Sequence, residues 1–179
     1  MKYKIEYYNL EGGEKKKYTQ EVLNRTLRHI VKILNESIIY DWFIAYGTLL
    51  GIIRDNNCID NDDDVDIIID KKNRNTLVEI LKKNNFNIIH DCEKLVKTSD
   101  SKDYSTIDFY LAEIDENGNF NDVWSEINWN NCYNFTYKFW NNVKLNIPNN
   151  AEEKLRNRYG DTWYIKQDIK IPYDKIDQI

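Results

Sequence analysis

The sequence predicts an α/β (α+β) fold in which a mixed β-sheet carries flanking helices. Helical periodicity is clearest after Thr19, where apolar residues recur on one helix face over about 20–37. A second observation is the segment Asp64–Asp70, which alternates at first and then contains three consecutive isoleucines, the pattern of a buried strand. Because helical and strand-like segments interleave along the chain, layers of helix are expected to pack on one sheet.

The other elements follow in chain order from short apolar runs and turn signals. Residues 1–18 fit a short strand and a charged turn, and residues 42–46 fit a strand that ends before Gly47. The remaining predicted elements are a short helix over 48–54, a helix over 73–84, strands at 86–89, 95–98 and 106–112, a turn at 117–119, and a last helix over 151–159 that stops at Gly160. The aromatic-rich residues 120–147 do not distinguish strand from helix.

Length and composition fit one domain over residues 1–179, with the motif-bearing core at about 20–165. Hydrophobic residues make up 41% and aromatic residues 13% of the chain, which is enough to build a buried core. The formal net charge is −5, from 30 acidic and 25 basic side chains. This balance argues against non-specific nucleic-acid binding, which needs a basic surface, so no nucleic-acid partner is expected.

Cysteine usage and hydropathy indicate the compartment. The three cysteines, Cys58, Cys92 and Cys132, form no C-x-x-C pair, which disfavours a zinc knuckle and favours reduced thiols. No signal peptide or membrane span is visible, so a cytoplasmic location is expected. His29 and His90 lie away from the motifs described next, which disfavours a histidine base. Abundant Asn, Ile and Lys are typical of AT-rich genomes, including viral and parasitic ones.

The most informative motif is the acidic run Asp60-Asn61-Asp62-Asp63-Asp64-Val65-Asp66, which has five carboxylates in seven residues. Carboxylates about 5 Å apart repel by roughly 3 kcal/mol at an effective dielectric of about 20. A solvated loop relieves this repulsion for the three carboxylates of residues 60–63. Asp64 and Asp66 begin the predicted buried strand, where residues i and i+2 face the same side. Two carboxylates placed in this way favour a divalent cation such as Mg²⁺ or Mn²⁺.

Two other interpretations of the acidic run are weaker. An EF-hand loop that starts at Asp60 would need glycine at its sixth position and glutamate at its twelfth, where this chain has Val65 and Lys71. A nucleotide-sugar glycosyltransferase uses an Asp-x-Asp pair where a strand ends, whereas here the pair begins a strand. The first alternative is rejected, and the second stays open.

A phosphate-binding turn is predicted just upstream of the acidic run. Gly47-Thr48-Leu49-Leu50-Gly51 follows a predicted strand and opens a short helix. Gly47 allows close approach of the backbone, while Thr48 contributes a hydroxyl and the start of the helix contributes free N–H groups. Arg54, about two turns later, is a candidate for a bidentate phosphate contact, although a solvated surface position fits it equally well.

These motifs, taken in order, resemble a known family. The first block comprises the glycine turn, Arg54 and Asp62-Asp63-Asp64-Val65-Asp66-Ile67. A later block comprises Asn146-Ile147-Pro148-Asn149, Leu155 and Tyr159-Gly160-Asp161-Thr162-Trp163. Together they span about 40–165, and the sequence resembles the LicD/fukutin family of phospho-alcohol transferases.

The resemblance implies a nucleotidyltransferase fold with Asp-x-Asp on one strand and a third carboxylate on a later strand. Asp108, within Thr106-Ile107-Asp108-Phe109-Tyr110, is the best match for the third acid, with a surface or strand-end aspartate as the competing interpretation. The implied catalytic residues are Asp64, Asp66 and Asp108. The implied ligands of Mg²⁺ or Mn²⁺ are these three and Asp62. The implied phosphate-binding residues are Gly47, Thr48 and Arg54.

The resemblance also implies a reaction. Members of the family transfer a phospho-alcohol, such as phosphocholine or ribitol phosphate, from a CDP-linked donor to a glycan hydroxyl. Nucleotidyl transfer from an NTP, glycosyl transfer from a nucleotide sugar and an inactive binding module remain alternatives. Tyr and Trp side chains at 120–140 are candidates for lining an acceptor groove, although core packing is their more common role.

Overall fold

The computed structural model describes residues 16–121, 129 and 135–166. Most of the strand predicted within 1–18, and Cys132, lie outside these residues. The elements are, in chain order, α1 (Gln20–Asn35), β1 (Trp42–Ile44), α2 (Tyr46–Arg54), β2 (Asp64–Asp70), α3 (Arg74–Lys83), β3 (Ile88–Asp91), β4 (Leu95–Thr98), β5 (Thr106–Ile114), β6 (Phe120–Asn121), β7 (Thr136–Trp140), β8 (Val143–Ile147) and α4 (Ala151–Tyr159).

Six strands form one mixed sheet, in which five follow the order β1-β2-β5-β4-β3 and β6 pairs with β5. β2 and β5 run parallel, whereas β1 with β2, β4 with β5 and β3 with β4 run antiparallel. Strands β7 and β8 form a separate two-stranded sheet. The predicted α/β (α+β) class is confirmed, and β1, β2 and β5 lie in one sheet.

β2 lies inside the sheet and is covered on both faces. Val65, Ile67, Ile68 and Ile69 have no exposed surface. Their β-branched side chains suit an extended backbone that packs on both sides. β5 pairs with the whole of β2 and thereby fixes the register of its first residues, while β1 pairs with its second half, Ile67–Ile69.

Helix α1 covers the core with the predicted apolar stripe. Leu23, Leu27 and Ile30 are fully buried. The Thr19 side chain caps the helix by accepting a hydrogen bond from the backbone N–H of Val22 at 3.4 Å. The predicted N-cap is therefore confirmed, and the helix ends two residues before the expected boundary.

The strand predicted over 42–46 is too long. β1 ends at Ile44, because Tyr46 has a φ of 44° that no extended strand accommodates. The carbonyl of Ala45 already accepts a hydrogen bond from the backbone N–H of Leu49 at 2.8 Å. Helix α2 consequently starts two residues before the predicted position, and Gly47 lies in its first turn.

The strand predicted at 86–89 also shifts. Asn85 has a φ of 61° and its N–H donates to the carbonyl of Lys82, while the N–H of Phe86 donates to the carbonyl of Leu81 at 3.0 Å. This pair of bonds is the Schellman arrangement that closes a helix. Phe86 therefore belongs to the end of α3, and β3 starts at Ile88.

Residues left undecided by the sequence form a hairpin. Asn141 and Asn142 connect β7 to β8 and have φ values of 45° and 65°, as a two-residue turn of the primed type requires. The Asn146 amide donates to the carbonyl of Trp42 at 3.1 Å, which fastens the hairpin to β1.

The predicted last helix is confirmed as α4. It ends at Gly160, whose φ is 82° and whose N–H donates to the carbonyl of Arg156 at 2.8 Å. Among the described residues, no helix has the length and apolar character that crossing a bilayer requires.

Candidate active site

Two neighbouring strands bring acidic side chains together. In the parallel pairing of β2 and β5, Asp66 lies opposite Asp108 and Asp64 lies opposite Thr106. Adjacent strands are about 4.8 Å apart, so the side chains of an opposed pair are close neighbours on the same face. Asp66 is 6% and Asp108 4% exposed, although both carry carboxylates. We name Asp62, Asp64, Asp66 and Asp108 the acidic edge.

The start of α2 is fastened to the acidic edge. The backbone N–H of Asp66 donates to Thr48 Oγ1 at 2.9 Å, and the backbone N–H of Thr48 lies 3.4 Å from Asp66 Oδ2. The backbone N–H of Ala45 donates to the Asp66 carbonyl at 3.1 Å. A helix N-terminus carries partial positive charge, so this placement favours negative groups at the acidic edge.

Gly47 is required by the approach of two carboxylates. A Cβ at this position would lie 2.7 Å from Asp62 Oδ2 and 3.5 Å from Asp66 Oδ2. The first distance is shorter than any side chain tolerates without displacement. The absence of a Cβ at Gly47 therefore lets Asp62 lie against the first turn of α2, beside Asp66.

The carboxylates at the acidic edge perturb one another. Burial, followed by the negative charges of Asp62, Asp108 and Asp63 in that order, raises the pKa of Asp66 to about 8. The backbone N–H of Thr48 opposes this shift. A carboxyl group with such a pKa lacks sufficient positive charge around it, a condition typical of functional sites.

A buried lysine accompanies the third carboxylate. Lys97 lies opposite Asp108 in the pairing of β4 with β5 and is only 8% exposed. Its Nζ lies 3.3 Å from Asp108 Oδ1. Neither charge is well solvated, so the pair depends on this contact. Lys97 is thus a cation built into the side of the site next to β4.

Aromatic side chains enclose Asp66. The Tyr110 hydroxyl donates to Asp66 Oδ1 at 3.2 Å, and the Tyr110 ring packs edge-on against Tyr46 at 5.1 Å. The guanidinium of Arg158 lies 5.6 Å from the centre of the Tyr46 ring. Burial and the negative charges of Asp66 and Asp62 raise the pKa of Tyr159, which places its hydroxyl near the same carboxylates.

The family follows from the sequence match. The family described as LicD/FKTN/FKRP, nucleotidyltransferase domain, matches residues 40–178. The chain belongs to this family. None of the curated proteins matches the sequence. The suspected LicD/fukutin resemblance is confirmed, and family membership together with the fold supports a phosphotransferase- or nucleotidyltransferase-like function.

Solved structures similar to this LicD-family chain have the nucleotidyltransferase fold. The lincosamide antibiotic adenylyltransferase LnuA, bound to lincomycin, matches with a TM-score of 0.56 and 12% identity over 76% of this chain and 96% of that chain. The antibiotic-resistance factor ANT(2'')-Ia matches with a TM-score of 0.53 and 13% identity over 72% of this chain and 66% of that chain. At such identities the likeness shows the fold alone, and it confirms the predicted fold.

The predicted site residues of this LicD-family chain do not all lie together. Contacts and mutual charge effects bring together Gly47, Thr48, Asp62, Asp66 and Asp108. Asp64 begins β2 and faces the same side as Asp66, at the more solvated rim.

Arg54 lies in a different local environment. Its guanidinium donates to the carboxylate of the adjacent Asp55, with the shortest contact at 2.8 Å. This interaction holds the pKa of Asp55 below its usual range. The phosphate role assigned to Arg54 stays a prediction, and it requires the side chain to leave Asp55.

Three residues at the site escaped the sequence analysis. Lys97 gives no sequence signal, since only the register of β4 on β5 places it beside Asp108. Tyr110 could have been predicted from the sequence, because it lies two residues after Asp108 on the same strand and therefore on the same face. Tyr159 belongs to the block that carried the family resemblance, but no motif assigned it a role.

Within the part of the chain that the structure describes, His29 and Cys58 lie in environments that give no sign of activation as a base or a nucleophile. The His29 ring stacks on Tyr104 at 4.6 Å, and burial followed by the charge of Lys32 lowers its pKa. Burial, with the charges of Asp62 and Asp66, raises the pKa of Cys58 to about 12, so its thiol stays protonated at neutral pH.

The donor set at the acidic edge matches one kind of cation. Within the described residues, no three His, Cys, Asp or Glu side chains form a complete metal site. Mg²⁺, however, is commonly held by one or two protein carboxylates, and substrate phosphates and water supply the remaining oxygens. Asp66 and Asp108, buried side by side with the excess negative charge that raises the pKa of Asp66, fit that chemistry.

Proposed function

We propose that this chain is a metal-dependent transferase that moves a phospho-alcohol from a CDP-linked donor to a glycan hydroxyl. The observation that carries the proposal is the register of two buried carboxylates, Asp66 and Asp108, beside the first turn of α2. An anionic donor phosphate would otherwise be repelled by such an edge, so the arrangement calls for a divalent cation between protein and substrate.

Asp66 and Asp108 would hold Mg²⁺ or Mn²⁺, with Asp64 and Asp62 as further ligands or as partners of bound water. When bound, the cation offsets the charge of the diphosphate and stabilises the leaving CMP. The Tyr110 hydroxyl and the backbone N–H of Thr48 orient the Asp66 carboxylate toward that role.

Phosphate oxygens would meet the first turn of α2. Gly47 allows close approach of the backbone there, and the partial positive charge of the helix start favours anions. Thr48 fixes this turn to β2 through its hydroxyl. Arg158 lies beside Tyr46, in the first turn of α2, and is a second candidate besides Arg54 for a phosphate contact.

Asp108 would orient the acceptor hydroxyl or remove its proton. The hydroxyl oxygen forms a bond to the phosphorus that carries the alcohol, and the bond from that phosphorus to the bridging oxygen breaks. CMP leaves with the electron pair of the broken bond. Lys97, 3.3 Å from Asp108 Oδ1, holds the carboxylate in place on the side next to β4.

Nucleotidyl transfer from an NTP is the second candidate. It is favoured by the likeness to LnuA, which is described as an adenylyltransferase. In that reaction the acceptor attacks the α-phosphorus and pyrophosphate leaves. The same carboxylates serve both reactions, because both depend on positioning and charge stabilisation at phosphorus.

The released nucleotide separates the candidates. The protein is incubated with Mn²⁺ or Mg²⁺, a panel of CDP-alcohols, UDP-sugars and NTPs, and a mixture of glycan acceptors, and products are resolved by nucleotide chromatography. CMP that appears only with metal and acceptor supports the proposal, and Asp66→Asn should abolish it whereas Glu116→Gln, at an exposed position, should not. Pyrophosphate released from an NTP, with the CDP-alcohols intact, would overturn it in favour of nucleotidyl transfer. UDP release would indicate glycosyl transfer.

A further inference from the structure

A cavity of about 560 Å³, which shares no lining residue with the acidic edge, lies between α1, Tyr104 and the turn that joins β7 to β8. Its volume is within the range of ligand-binding sites. Four cationic side chains line it, together with a single carboxylate, that of Glu36. We name this cavity the basic groove, and its cations are Arg25, Arg28, Lys32 and Lys144.

The cations from α1 form one stripe. Arg25, Arg28 and Lys32 are spaced by three and four residues, which places them on the same face of the helix. With a rise of 1.5 Å per residue, they extend over roughly 10 Å of helix. The opposite, apolar face of α1 is buried in the core, so this stripe faces outward into the groove.

The charges in the basic groove are weakly neutralised by the protein. Among the described residues, Arg28 and Lys32 form no ion pair. The contact of Arg25 with Glu21 is long, at 3.9 Å, and Glu21 is 88% exposed, so it contributes little. Lys144 lies 4.5 Å above the ring of Tyr137, an arrangement that leaves its positive charge in place.

The walls of the basic groove are held in position. Arg25 Nε donates to the carbonyl of Asp103 at 2.8 Å, and the backbone N–H of Ser105 donates to Thr26 Oγ1 at 2.8 Å. These bonds fasten residues 101–105 to α1, as does the stacking of Tyr104 on His29. On the other wall, the Asn35 amide donates to the carbonyl of Lys144 at 3.0 Å. A ligand would therefore meet a largely formed site.

We propose that the basic groove binds an anion that carries two or three closely spaced phosphate groups. One phosphate would engage at most part of a stripe about 10 Å long, whereas several phosphates match the spacing of its cations. Arginine is suited to phosphate oxygens through its two-pronged guanidinium, and Arg25 and Arg28 supply two such groups. In a chain with a net charge of −5, this concentration of positive charge is a local feature rather than a result of composition.

The phosphates have two possible sources, a free oligophosphate compound or a polymer with phosphodiester links. In either case the basic groove requires no divalent cation, unlike the site proposed at the acidic edge. Binding measured in EDTA therefore reports on the groove alone. If no binding occurred in EDTA, the proposed transferase activity would not be affected. If the transferase activity were not found, the proposal for the basic groove would likewise stand.

The test is calorimetric titration with sodium tripolyphosphate in EDTA at low ionic strength. The variant R28Q/K32Q removes two exposed charges and should bind at least about tenfold more weakly, with thermal unfolding unchanged. The matched control K82Q/K83Q removes two exposed charges from the end of α3 and should bind like the parent. Raising the salt should weaken binding by the parent. Absence of binding, or equal weakening by both variants, would overturn the proposal.

Competing probes identify the source of the phosphates. A short oligomer of glycerol phosphate that displaces tripolyphosphate at lower concentration would support a polymer-borne ligand. Tripolyphosphate as the tighter ligand would support a free oligophosphate. A single-stranded oligonucleotide of equal charge that binds more tightly than both would overturn the proposal, because it would identify a nucleic-acid surface that uses base stacking.

Discussion

The acidic edge and the basic groove concentrate charge of opposite sign in one small domain, and they differ in how far that charge is exposed to water. At the acidic edge, like charges are buried together, and the pKa of Asp66 rises to about 8 because burial and its neighbours disfavour ionisation. In the basic groove, like charges remain in contact with water on the outer face of α1, where repulsion is screened. Under the proposed function, a bound cation would offset the buried charge of the acidic edge, whereas water already screens the charge of the basic groove.

The two regions also differ in how the sequence encodes them. Five aspartates lie at or beside the acidic edge. Four of them are contained in residues 62–66, so the motif is visible as a run, and Asp108 is the fifth. The basic groove is assembled from α1, Tyr104 and the β7–β8 turn, which are far apart in the chain. A net charge of −5 indicated no basic surface, and a local one nevertheless forms. Net charge constrains the whole surface but says little about any one patch.

The largest expected effect comes from removing charge at the acidic edge. Asp64→Asn with Asp66→Asn should abolish Mn²⁺ binding, because two carboxylate ligands become weak amide ligands, while the protein stays folded. Calorimetric titration with Mn²⁺ measures the loss. Tripolyphosphate binding in EDTA is the internal control and should not change, since the basic groove is intact. Mn²⁺ binding equal to that of the parent would move the metal site elsewhere.

A smaller effect is expected from adding one methyl group at either of two glycines in α2. Gly47→Ala places a Cβ 2.7 Å from Asp62 Oδ2, and since this side chain can rotate away, activity should fall about tenfold with a modest loss of stability. Gly51→Ala places a Cβ 2.5 Å from the backbone oxygen of Asn57, which cannot move alone.

For Gly51→Ala the expected loss is in the free energy of unfolding, by about 1–3 kcal/mol, with near-normal activity per folded molecule. Urea denaturation and initial rates, measured on both variants, separate the two outcomes. If Gly47→Ala kept full activity, Asp62 would have no role at the acidic edge.

The last expected effect concerns pH and the metal-free protein. The pKa of Asp66 is about 8 in the folded state and 3.8 in the reference state, so the folded protein holds a proton that the unfolded chain releases between these values. The contribution of Asp66 to the free energy of unfolding is therefore fully present below pH 4 and is lost as the pH rises through 8.

Urea denaturation in EDTA from pH 5 to pH 9 measures this contribution. Relative to Asp66→Asn, the parent should lose stability with rising pH, whereas Glu116→Gln, at an exposed site, should follow the parent. Parallel curves for the parent and Asp66→Asn would show that the Asp66 carboxyl group is not perturbed, and the contrast with the solvated charges of the basic groove would disappear.

The fold was predictable wherever one local pattern dominated. The apolar stripe of α1 and the isoleucines of β2 fixed both elements, because their periods of 3.6 and 2 differ clearly. The end of β1 was not predictable, since the left-handed φ of Tyr46 depends on the tie between α2 and β2. The β7–β8 hairpin was missed because its aromatic residues fit several structures, although Asn141-Asn142 is a turn signal.

The candidate site was predictable only in its contiguous part. Asp66 and Thr48 were found from motifs, and Asp108 from the family pattern. Lys97 was not found, because its place beside Asp108 depends on the register of two strands, which no local pattern specifies. The ion pair of Arg54 with Asp55 was not predictable either, since adjacency in sequence does not determine the rotamer of a long side chain.

The parallel pairing of β2 with β5 has a consequence for synthesis. When the nascent chain has emerged only as far as β4, β2 can pair with β1 but its other edge still awaits β5. That edge presents the unpaired backbone of Ile67, Ile68 and Ile69, a segment prone to pair with other chains. Only the late arrival of Thr106–Ile114 covers it. The strand that completes the acidic edge is therefore also the one that protects the newly made chain from aggregation.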